Sequence, residues 1–384
     1  MSKTIQGRLT QLDKYIQQKW NERYLNFIAK HQDQINWWTI SYSPNITLDI
    51  IRYFVKKPWD WNYMSENPYI TMEIIESFPD KPWDWDNISL NLHSIMEAVE
   101  KYPNKSWNWE WISYNPNITM QFIDKYPRIL WDWEGISQNF NITMEFIENN
   151  IYKPWDWHFG LSRNINTTLE FIENHLDKNW DWRNGISWNP HITINFIEKH
   201  SDKPWNWKHL SCNPNITMKD IEDHPEKPWI WECISGNPNL TMEMIEKYPD
   251  KQWDWNLISR NSNITPKDIE NYLDYPWKWY WVSWNPNINM EFIENNPDKP
   301  WNWYGGISRN LNLTMEMMEK YPDKSWDWNW AHEFSKEKEL FFNEWYRKYM
   351  ATFRLQQYFN RMYDDPKYLF CRKRLEKSFK KLIN

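Results

Sequence analysis

The sequence predicts an all-α fold: an α-solenoid of about 12 to 13 short two-helix repeats, each an α-helix followed by a short α or 3₁₀ helix, with helical caps at both ends. A Trp-x-Trp pair begins at twelve positions from Trp59 to Trp326, and of the eleven spacings eight are 24 residues and three are 25. A degenerate thirteenth copy, INWWTIS, starts at Ile35. Each copy also carries two signals for a helix start. Short repeats bury their apolar faces by stacking on neighbours, so a solenoid is expected.

The chain divides into three predicted regions: residues 1–34 as an N-terminal helical cap, residues 35–330 as the Trp-rich solenoid, and residues 331–384 as a basic C-terminal helical cap or tail. The N-terminal region has apolar residues at helical spacing: Ile5, Leu9, Leu12, Ile16, Tyr24, Phe27 and Ile28. A terminal repeat has no neighbour on one side, so a different segment is expected to cover it.

The first helix of each repeat is predicted to start after the motif NPNIT. Thr71 occupies the last position of this motif, and threonine before an acidic first turn is typical of an N-cap. In another copy Pro266 follows Thr265 directly, and proline is favoured at the first residue of a helix. A later proline, such as Pro79, predicts that the helix ends after about two turns.

The second helix is predicted to start at the Trp-x-Trp pair. The residue between the two tryptophans is Asp or Asn in ten of twelve copies, which indicates a second N-cap. With Asp84 as the cap, Trp85 is the first helical residue. Trp83 and Ile88 then have the spacing of a hydrophobic staple. Both indoles are therefore expected to turn into the core, where burial of each ring contributes at most about 4–6 kcal/mol.

Spacing and insertions set expectations for the whole array. With about 8–10 Å between packed helices, twelve repeats predict a rod or superhelix roughly 100–120 Å long. The three 25-residue spacings each add a residue after the second tryptophan, together with Gly160, Gly185 or Gly306. Insertions of this kind are tolerated near helix ends and turns.

Charge is unevenly distributed along the chain. The formal net charge is −7; residues 331–384 hold 13 Lys and Arg against 7 Asp and Glu, which is +6, and the rest holds 32 against 45, which is −13. The acidic repeat body argues against nucleic acid along its length. The basic tail, predicted to form two helices, could contact phosphate or an acidic partner, although a solvated helix face is the favoured explanation.

Two charged ladders run along the repeats. An acidic residue recurs at the fifth position of the first helix, as in Glu76, and a lysine recurs two residues before the first tryptophan in ten of twelve copies, as in Lys81. The ladders could form a cation-binding strip. Mutual neutralisation on a solvated face is the simpler interpretation.

Sequence motifs for catalysis or cofactor binding are missing. The nine histidines occupy unrelated registers, and Cys212, Cys233 and Cys371 are too scattered for a disulfide framework or a zinc site. Seven glycines form no phosphate-binding loop. We therefore expect no enzyme activity, no cofactor and no metal site. We also expect no membrane span and a cytoplasmic location, because neither a signal-like start nor a long apolar run is present.

Positions that the repeat leaves variable flank the second helix and form the candidate interaction face. In the middle of the array these positions hold His158, Arg163, Arg183, Trp188, Lys208 and His209. Aromatic clusters occur at Trp111 with Tyr114 and at Tyr280, Trp281 and Trp284. Aromatic and arginine side chains are typical anchors of protein interfaces. Ordinary surface variation is the alternative explanation.

The repeats resemble a family of viral proteins. Residues 213–235, NPNITMKDIEDHPEKPWIWECIS, and residues 285–294, where Asn289 replaces the usual Thr, resemble the Trp-rich tandem repeats of giant DNA viruses of the mimivirus group. The resemblance covers about residues 35–330, and the C-terminal stretch FRLQQYFNRMYDDPKYLFCRKRL is also similar to tails of such proteins. More loosely, the repeat is similar to leucine-rich variant repeats, in which α and 3₁₀ helices alternate. The resemblance implies a location in the virion or the host cytoplasm, and no particular activity.

The sequence thus favours a non-enzymatic repeat scaffold that mediates protein–protein interaction, as a viral structural or host-interaction protein with an unknown protein partner. The alternative is a glycan- or nucleic-acid-binding protein that uses exposed aromatic residues and the basic tail. A third hypothesis places the tail alone on a membrane or on RNA.

Overall fold

The computed structural model of the chain describes residues 3–329 and 334–348, with side chains described from residue 11 onward. Within these residues the chain consists of helices and turns and contains no strand, so the prediction of an all-α repeat solenoid is confirmed. The described residues fall into two compact units, one formed by residues 3–26 with 335–348 and the other by residues 27–329 with Phe334.

The first unit pairs two helices. The N-terminal helix spans Lys3–His31, and its last five residues belong to the second unit. Its partner spans residues 335–348. Trp20 is fully buried and lies 5.6 Å from Phe341 between ring centroids, and Arg23 forms an ion pair with Glu337. The second helix predicted for the basic tail lies outside the described residues.

The second unit contains the repeats. Its first helices are six or seven residues long: Leu48–Tyr53, Met72–Ser77, Ile95–Lys101, Met120–Lys125, Met144–Asn149, Leu169–Asn174, Ile194–Lys199, Met218–Asp223, Met242–Lys247, Pro266–Asn271, Met290–Asn295 and Met315–Lys320. Its second helices are shorter on average: Trp37–Ile40, Trp61–Glu66, Trp85–Asn91, Trp109–Tyr114, Trp133–Gln138, Trp157–Leu161, Ile186–Trp188, Trp207–Cys212, Trp231–Ile234, Trp255–Ser259, Trp279–Val282 and Ile307–Arg309. Helices this short depend on tertiary packing.

Side-chain caps start both helices of a repeat. The Thr71 hydroxyl accepts a hydrogen bond from the Ile74 amide at 3.4 Å. The Asp84 carboxylate accepts bonds from the Asp86 and Asn87 amides at 2.9 and 3.2 Å, and the helix begins at Trp85. These bonds satisfy amides that have no partner inside the helix.

The tryptophan pairs form the core between repeats. In one copy, the Trp83 indole donates a hydrogen bond to the Phe78 carbonyl at 2.9 Å. The first tryptophan of the pair thus contacts the end of the first helix of the same repeat. Trp85 meets Trp107 of the next repeat edge to face, at 5.2 Å and 90°. Every ring of the pairs is buried or half-buried, and Ile88 beside them is 1% exposed. Edge-to-face pairing adds to the apolar burial that holds neighbouring repeats together.

The lysine ladder contacts tryptophan rather than the acidic ladder in most repeats. Lys81 lies 5.2 Å above the Trp61 ring, and Lys105 lies 5.7 Å above Trp85. The acidic ladder instead receives Lys, His or Tyr from the end of the next first helix, as in Lys199–Glu173 at 2.7 Å. Mutual neutralisation of the two ladders is therefore wrong for most copies, because nine of the ten lysines lie over a tryptophan ring of the preceding repeat, a favourable cation–π site. Lys227 is the exception and pairs with Glu198 at 3.3 Å.

A buried serine links neighbouring repeats, and in most copies a buried asparagine does so as well; Asn91 is an exception, since its side chain donates to the Asn87 carbonyl of its own helix. The Ser113 hydroxyl donates to the Trp109 carbonyl at 2.9 Å and accepts from the Asp132 amide of the next repeat at 3.0 Å. The Asn139 amide group donates to the Asn115 carbonyl at 3.0 Å. These bonds satisfy buried backbone groups between the repeats.

The inserted glycines allow close packing of second helices. A Cβ at Gly160 would lie 2.4 Å from the Ser137 Cβ, closer than real Cβ contacts. Gly185 and Gly306 make the same approach to the serine of the preceding repeat. The extra residue changes the helix type: Trp157–Leu161 is a π-helix, and the other two copies end in 3₁₀ turns.

The repeat array closes on itself within the second unit. Lys30 forms an ion pair with Glu319 at 2.9 Å, as Lys199 does with Glu173 between neighbouring repeats. The same closure places the Asn36 side-chain amide 2.8 Å from the Asn329 side-chain oxygen.

Aromatic contacts at the closure also copy those between neighbouring repeats. Phe27 stacks on Trp328 at 6.2 Å and 24°, and Phe196 stacks on Trp182 at 6.3 Å and 17°. Residues 27–40 therefore act as the repeat that follows the last Trp-x-Trp pair. The predicted rod or superhelix of roughly 100–120 Å is not formed, because the repeats curve until the first one meets the last.

Candidate functional site

The candidate site is the exposed side of the second helices, which we call the variable face. Its second positions directly follow the second aromatic position of each Trp pair, and eleven of the thirteen are exposed: Trp38, Asn62, Asp86, Glu110, Glu134, Arg183, Lys208, Glu232, Asn256, Tyr280 and Tyr304. The other two, His158 and Asn329, are half-buried. Its post-serine positions directly follow the buried serine: Tyr42, Glu66, Leu90, Tyr114, Gln138, Arg163, Trp188, Cys212, Gly236, Arg260, Trp284 and Arg309. Third positions, such as His209, lie between the two.

Second helices form the inner layer of the closed array. Neighbouring second helices pack directly on one another, closely enough for a Cβ at Gly160 to clash with Ser137. First helices are bridged by long side chains, as in Lys320–Glu294 at 2.7 Å. A closed array has its shorter spacing on the inside, so the variable face is directed toward the interior of the repeat unit.

A basic sector occupies three consecutive repeats of this face. Its basic members at second or post-serine positions are His158, Arg163, Arg183 and Lys208. The sector also includes Trp188 and His209. Trp188 is 52% exposed and lies 4.6 Å from the His209 ring. The predicted residues of the mid-array group are thus brought together on adjacent repeats.

The two histidines of the basic sector are partly covered. Burial lowers the pKa of His209, so this ring is neutral at pH 7 and presents its flat surface to Trp188. His158 lies 4.6 Å from Phe159, and its buried Nδ1 has no hydrogen-bond partner. The permanent positive charge of the sector therefore comes from its arginines and lysine.

Sequence reasoning missed Phe159 as part of this sector. Its ring is 49% exposed, and the Arg163 guanidinium lies 5.4 Å above it. Phe159 occupies the third position, the same position as His209. Alignment of the repeats by position would have found it.

An acidic sector precedes the basic one. Asp86, Glu110 and Glu134 occupy the second positions of three consecutive repeats and are exposed. Glu232 follows the basic sector at the same position. Acidic and basic side chains therefore occupy separate sectors of the variable face. The repeat framework fixes the positions of neighbouring side chains on this face.

The predicted aromatic cluster at Trp111 and Tyr114 lies beside the acidic sector. Their centroids are 6.0 Å apart, and Trp111 is 38% exposed. Tyr114 packs against Gly135, where a Cβ would lie 2.6 Å from its ring. Burial and the Asp132 charge raise the pKa of Tyr114, so its hydroxyl stays protonated.

The second predicted cluster is only partly accessible. Tyr280 is 53% exposed, whereas Trp281 and Trp284 are half-buried. Arg260 lies 5.0 Å above Trp281, and Arg309 lies 5.3 Å above Trp284. Neighbouring arginines thus already contact the faces of both indoles, and Tyr280 is the accessible member.

One cluster of described side chains has the composition of a metal site, and Cys212 is a candidate nucleophile. Glu198, His224 and Glu226 bring three potential ligand atoms within 4.8 Å of one another, but Lys227 lies 3.3 Å from Glu198 and 3.6 Å from Glu226. The ammonium group takes the position of a cation there. Burial raises the pKa of Cys212 to about 12, so its thiol is not a ready nucleophile.

Two clefts lie on the linker side of the repeats. One is lined by Glu76, Trp83 and Lys105 among others, and the other by Glu294, Trp301 and Lys324. Both occupy equivalent positions between neighbouring repeats, so they follow from the framework and mark no unique site.

Within the described part of the chain, no helix is both long and apolar enough to cross a membrane. Comparison with protein-family models, curated proteins and solved structures finds no match to this chain.

Proposed function

We propose that this protein is a non-enzymatic repeat scaffold that binds another protein along the variable face. The proposal rests on the observation that each repeat has two sets of residues, one that holds the array together and one that is exposed on the second helices. Framework residues such as Asp84, Ser113 and Asn139 use their polar groups within the array. The second helices instead present exposed aromatic side chains and segregated charge, and these are features of protein interfaces.

A comparison of partners captured by two variants tests the proposal. Arg183→Ala/Trp188→Ala/Lys208→Ala removes three exposed side chains of the basic sector. Lys219→Ala/Lys267→Ala changes exposed residues of the first helices and is the control. Affinity purification followed by mass spectrometry should recover a partner with the wild type and the control, and lose it with the triple variant. Equal recovery by all three proteins would contradict the proposal.

A nucleic-acid-binding role is the second candidate. Exposed Trp188 and Phe159 lie beside Arg163 and Arg183, and aromatic rings with nearby cations are typical of single-strand binding sites. Titration with a labelled oligonucleotide at low salt tests this role. Binding that the triple variant loses would favour it over protein binding. A glycan would be sought in the same way with labelled oligosaccharides.

The viral origin rests on the resemblance of the repeats and the C-terminal stretch. It supports a structural or host-interaction role in the virion or the host cytoplasm. Mass spectrometry of purified virions and of fractions from infected cells tests both locations.

A further inference from the structure

We propose that the basic sector of the variable face binds an extended, acidic polypeptide segment of the partner, with a carboxylate about every third residue. This inference rests on the proposed function and specifies the chemistry of the partner. It follows from the closure of the array, from the charge of three adjacent repeats and from their spacing.

Closure limits the size of what the inner layer can hold. The twelve Trp-x-Trp copies and residues 27–40 make thirteen repeats. At about 8–10 Å per second helix the closed path is about 100–130 Å long and about 33–41 Å across. The inner half of each helix, with its side chains, occupies about 5–6 Å on each side of this diameter, so the free space inside the array is about 22–30 Å across. A folded domain of about 100 residues, with a radius of gyration of about 13 Å, is too wide, whereas an extended segment fits.

Charge selects an acidic segment. Arg163, Arg183 and Lys208 are exposed at the second and post-serine positions of three consecutive repeats, and these positions carry no carboxylate there. The nearby cap carboxylates of Asp156 and Asp181 accept hydrogen bonds from helix amides. They are therefore engaged within the repeats, and the basic side chains remain available to carboxylates of a partner.

Repeat spacing sets the spacing of the carboxylates. Arg183 and Lys208 hold the same position on neighbouring second helices, which lie about 8–10 Å apart. A chain extended in the polyproline II conformation has three residues per turn and advances about 3.1 Å per residue, so side chains three residues apart lie on the same face and match this distance. Between these contacts, the exposed surfaces of Trp188 and Phe159 offer apolar area to the residues between the carboxylates.

A fluorescence anisotropy titration tests the inference with defined probes. The probe is a labelled peptide of about fifteen residues, long enough to cross at least three repeats, in which Glu-Tyr-Ser is repeated. A peptide with Lys in place of Glu is the matched probe control. Arg183→Glu/Lys208→Glu is the test variant, and Lys219→Glu/Lys267→Glu carries the same change in net charge on the first helices. Far-UV circular dichroism checks that both variants are folded.

We expect the acidic peptide to bind the wild type and the charge control, to bind the test variant at least about tenfold more weakly, and to weaken with salt. Any binding of the lysine peptide, for example to the acidic sector, should not weaken in the test variant. The inference is overturned if the acidic peptide does not bind the wild type, if both variants bind it equally, or if the test variant weakens binding of the lysine peptide as much as that of the acidic peptide.

A competing oligonucleotide separates polypeptide from nucleic acid. Tighter binding of an oligonucleotide than of the acidic peptide, lost in the test variant, would also overturn the inference. Failure of the peptide to bind while the alanine triple variant still loses its captured partner would leave the proposed function standing. Failure of both experiments would reject both.

Discussion

At the residue scale, small side chains decide how closely the repeats approach. Ser113 both donates to its own second helix and accepts from the next repeat, so its hydroxyl is part of the interface rather than a surface group. Gly160 lies where even a methyl group would collide with Ser137. The second helices form the inner layer because they approach one another closely. The serines and glycines that allow this approach therefore influence the curvature of the array as well as its stability.

Replacing Gly160 with alanine should destabilise the fold by about 1–3 kcal/mol, because the added Cβ would lie 2.4 Å from Ser137. Gly236→Ala is the control: its nearest neighbours would lie 3.5 Å from the added Cβ, which is ordinary contact. Urea unfolding of both variants measures the difference. Equal midpoints for Gly160→Ala and the wild type would show that the contact with Ser137 carries no strain.

At the element scale, each short helix depends on a cap and on its neighbours. Asp84 caps the helix of Trp85, but Lys278 stands in the same position before Trp279–Val282 and makes no side-chain cap bond. The backbone at Lys278 is close to that of Asp84, with φ −97 and ψ 89 compared with −90 and 106. A missing cap is therefore a matter of residue type rather than backbone geometry.

Lys278→Asp should stabilise the repeat unit by about 1 kcal/mol, since a carboxylate there can accept bonds from the free amides of the first turn. Lys278→Ala separates the gain of a cap from the loss of a positive charge. Thermal unfolding should rank the aspartate variant above both the wild type and the alanine variant. A midpoint for the aspartate variant no higher than that of alanine would reject the capping argument.

Ion pairs between first helices predict how stability depends on pH. Hydrogen bonds from Lys320 and Tyr321 lower the pKa of Glu294, and Lys199 and His200 lower that of Glu173. A depressed carboxylate pKa stabilises the fold above the unfolded value, near 4.5, and this contribution is lost as the pH falls through the folded value. The thermal midpoint should therefore drop below about pH 4.5, and less steeply in Glu294→Gln/Glu173→Gln. Identical pH profiles for this variant and the wild type would contradict the assignment.

At the scale of the whole repeat unit, a non-covalent seam closes the array. Lys30, His31 and Glu319 reproduce the contacts of Lys199, His200 and Glu173. The stretch FIAKH at 27–31 also matches FIEKH at 196–200 in all but one residue. One end of a long N-terminal helix thus substitutes for the first helix of a repeat.

Glu319→Lys should loosen the seam by placing two like charges together where an ion pair was. Exposed pairs contribute about 0.2–1 kcal/mol, so amide hydrogen exchange around residues 36–40 should accelerate by up to about fivefold. Glu294→Lys breaks the equivalent pair at an interior interface and should leave the seam unchanged. The swap Lys30→Glu/Glu319→Lys should restore slow exchange. Unaltered exchange in Glu319→Lys would mean that this ion pair does not contribute to closure, which the aromatic contacts and the Asn36–Asn329 hydrogen bond would then maintain.

How much of the fold and the site could be predicted depends on how local each interaction is. Cap positions such as Thr71 and Asp84 act on amides two or three residues away, so residue type and spacing are sufficient to place them. Position within the repeat also identified the exposed residues Arg183 and Trp188. Covered rings such as Trp281 could not be recognised as covered, because Arg260 above it comes from another repeat.

By itself, the sequence determined the helical repeat, the starts of its helices and the tryptophan core, all of which follow from patterns within about 24 residues. Only the tertiary structure decided that lysines contact tryptophan faces, that serine and asparagine link the repeats, and that residues 27–40 meet the last repeat. The physical reason is that curvature accumulates from the small difference between inner and outer helix spacing at every interface. The accumulated curvature of all the repeats determines whether the chain closes. It cannot be deduced from the sequence pattern of a single repeat.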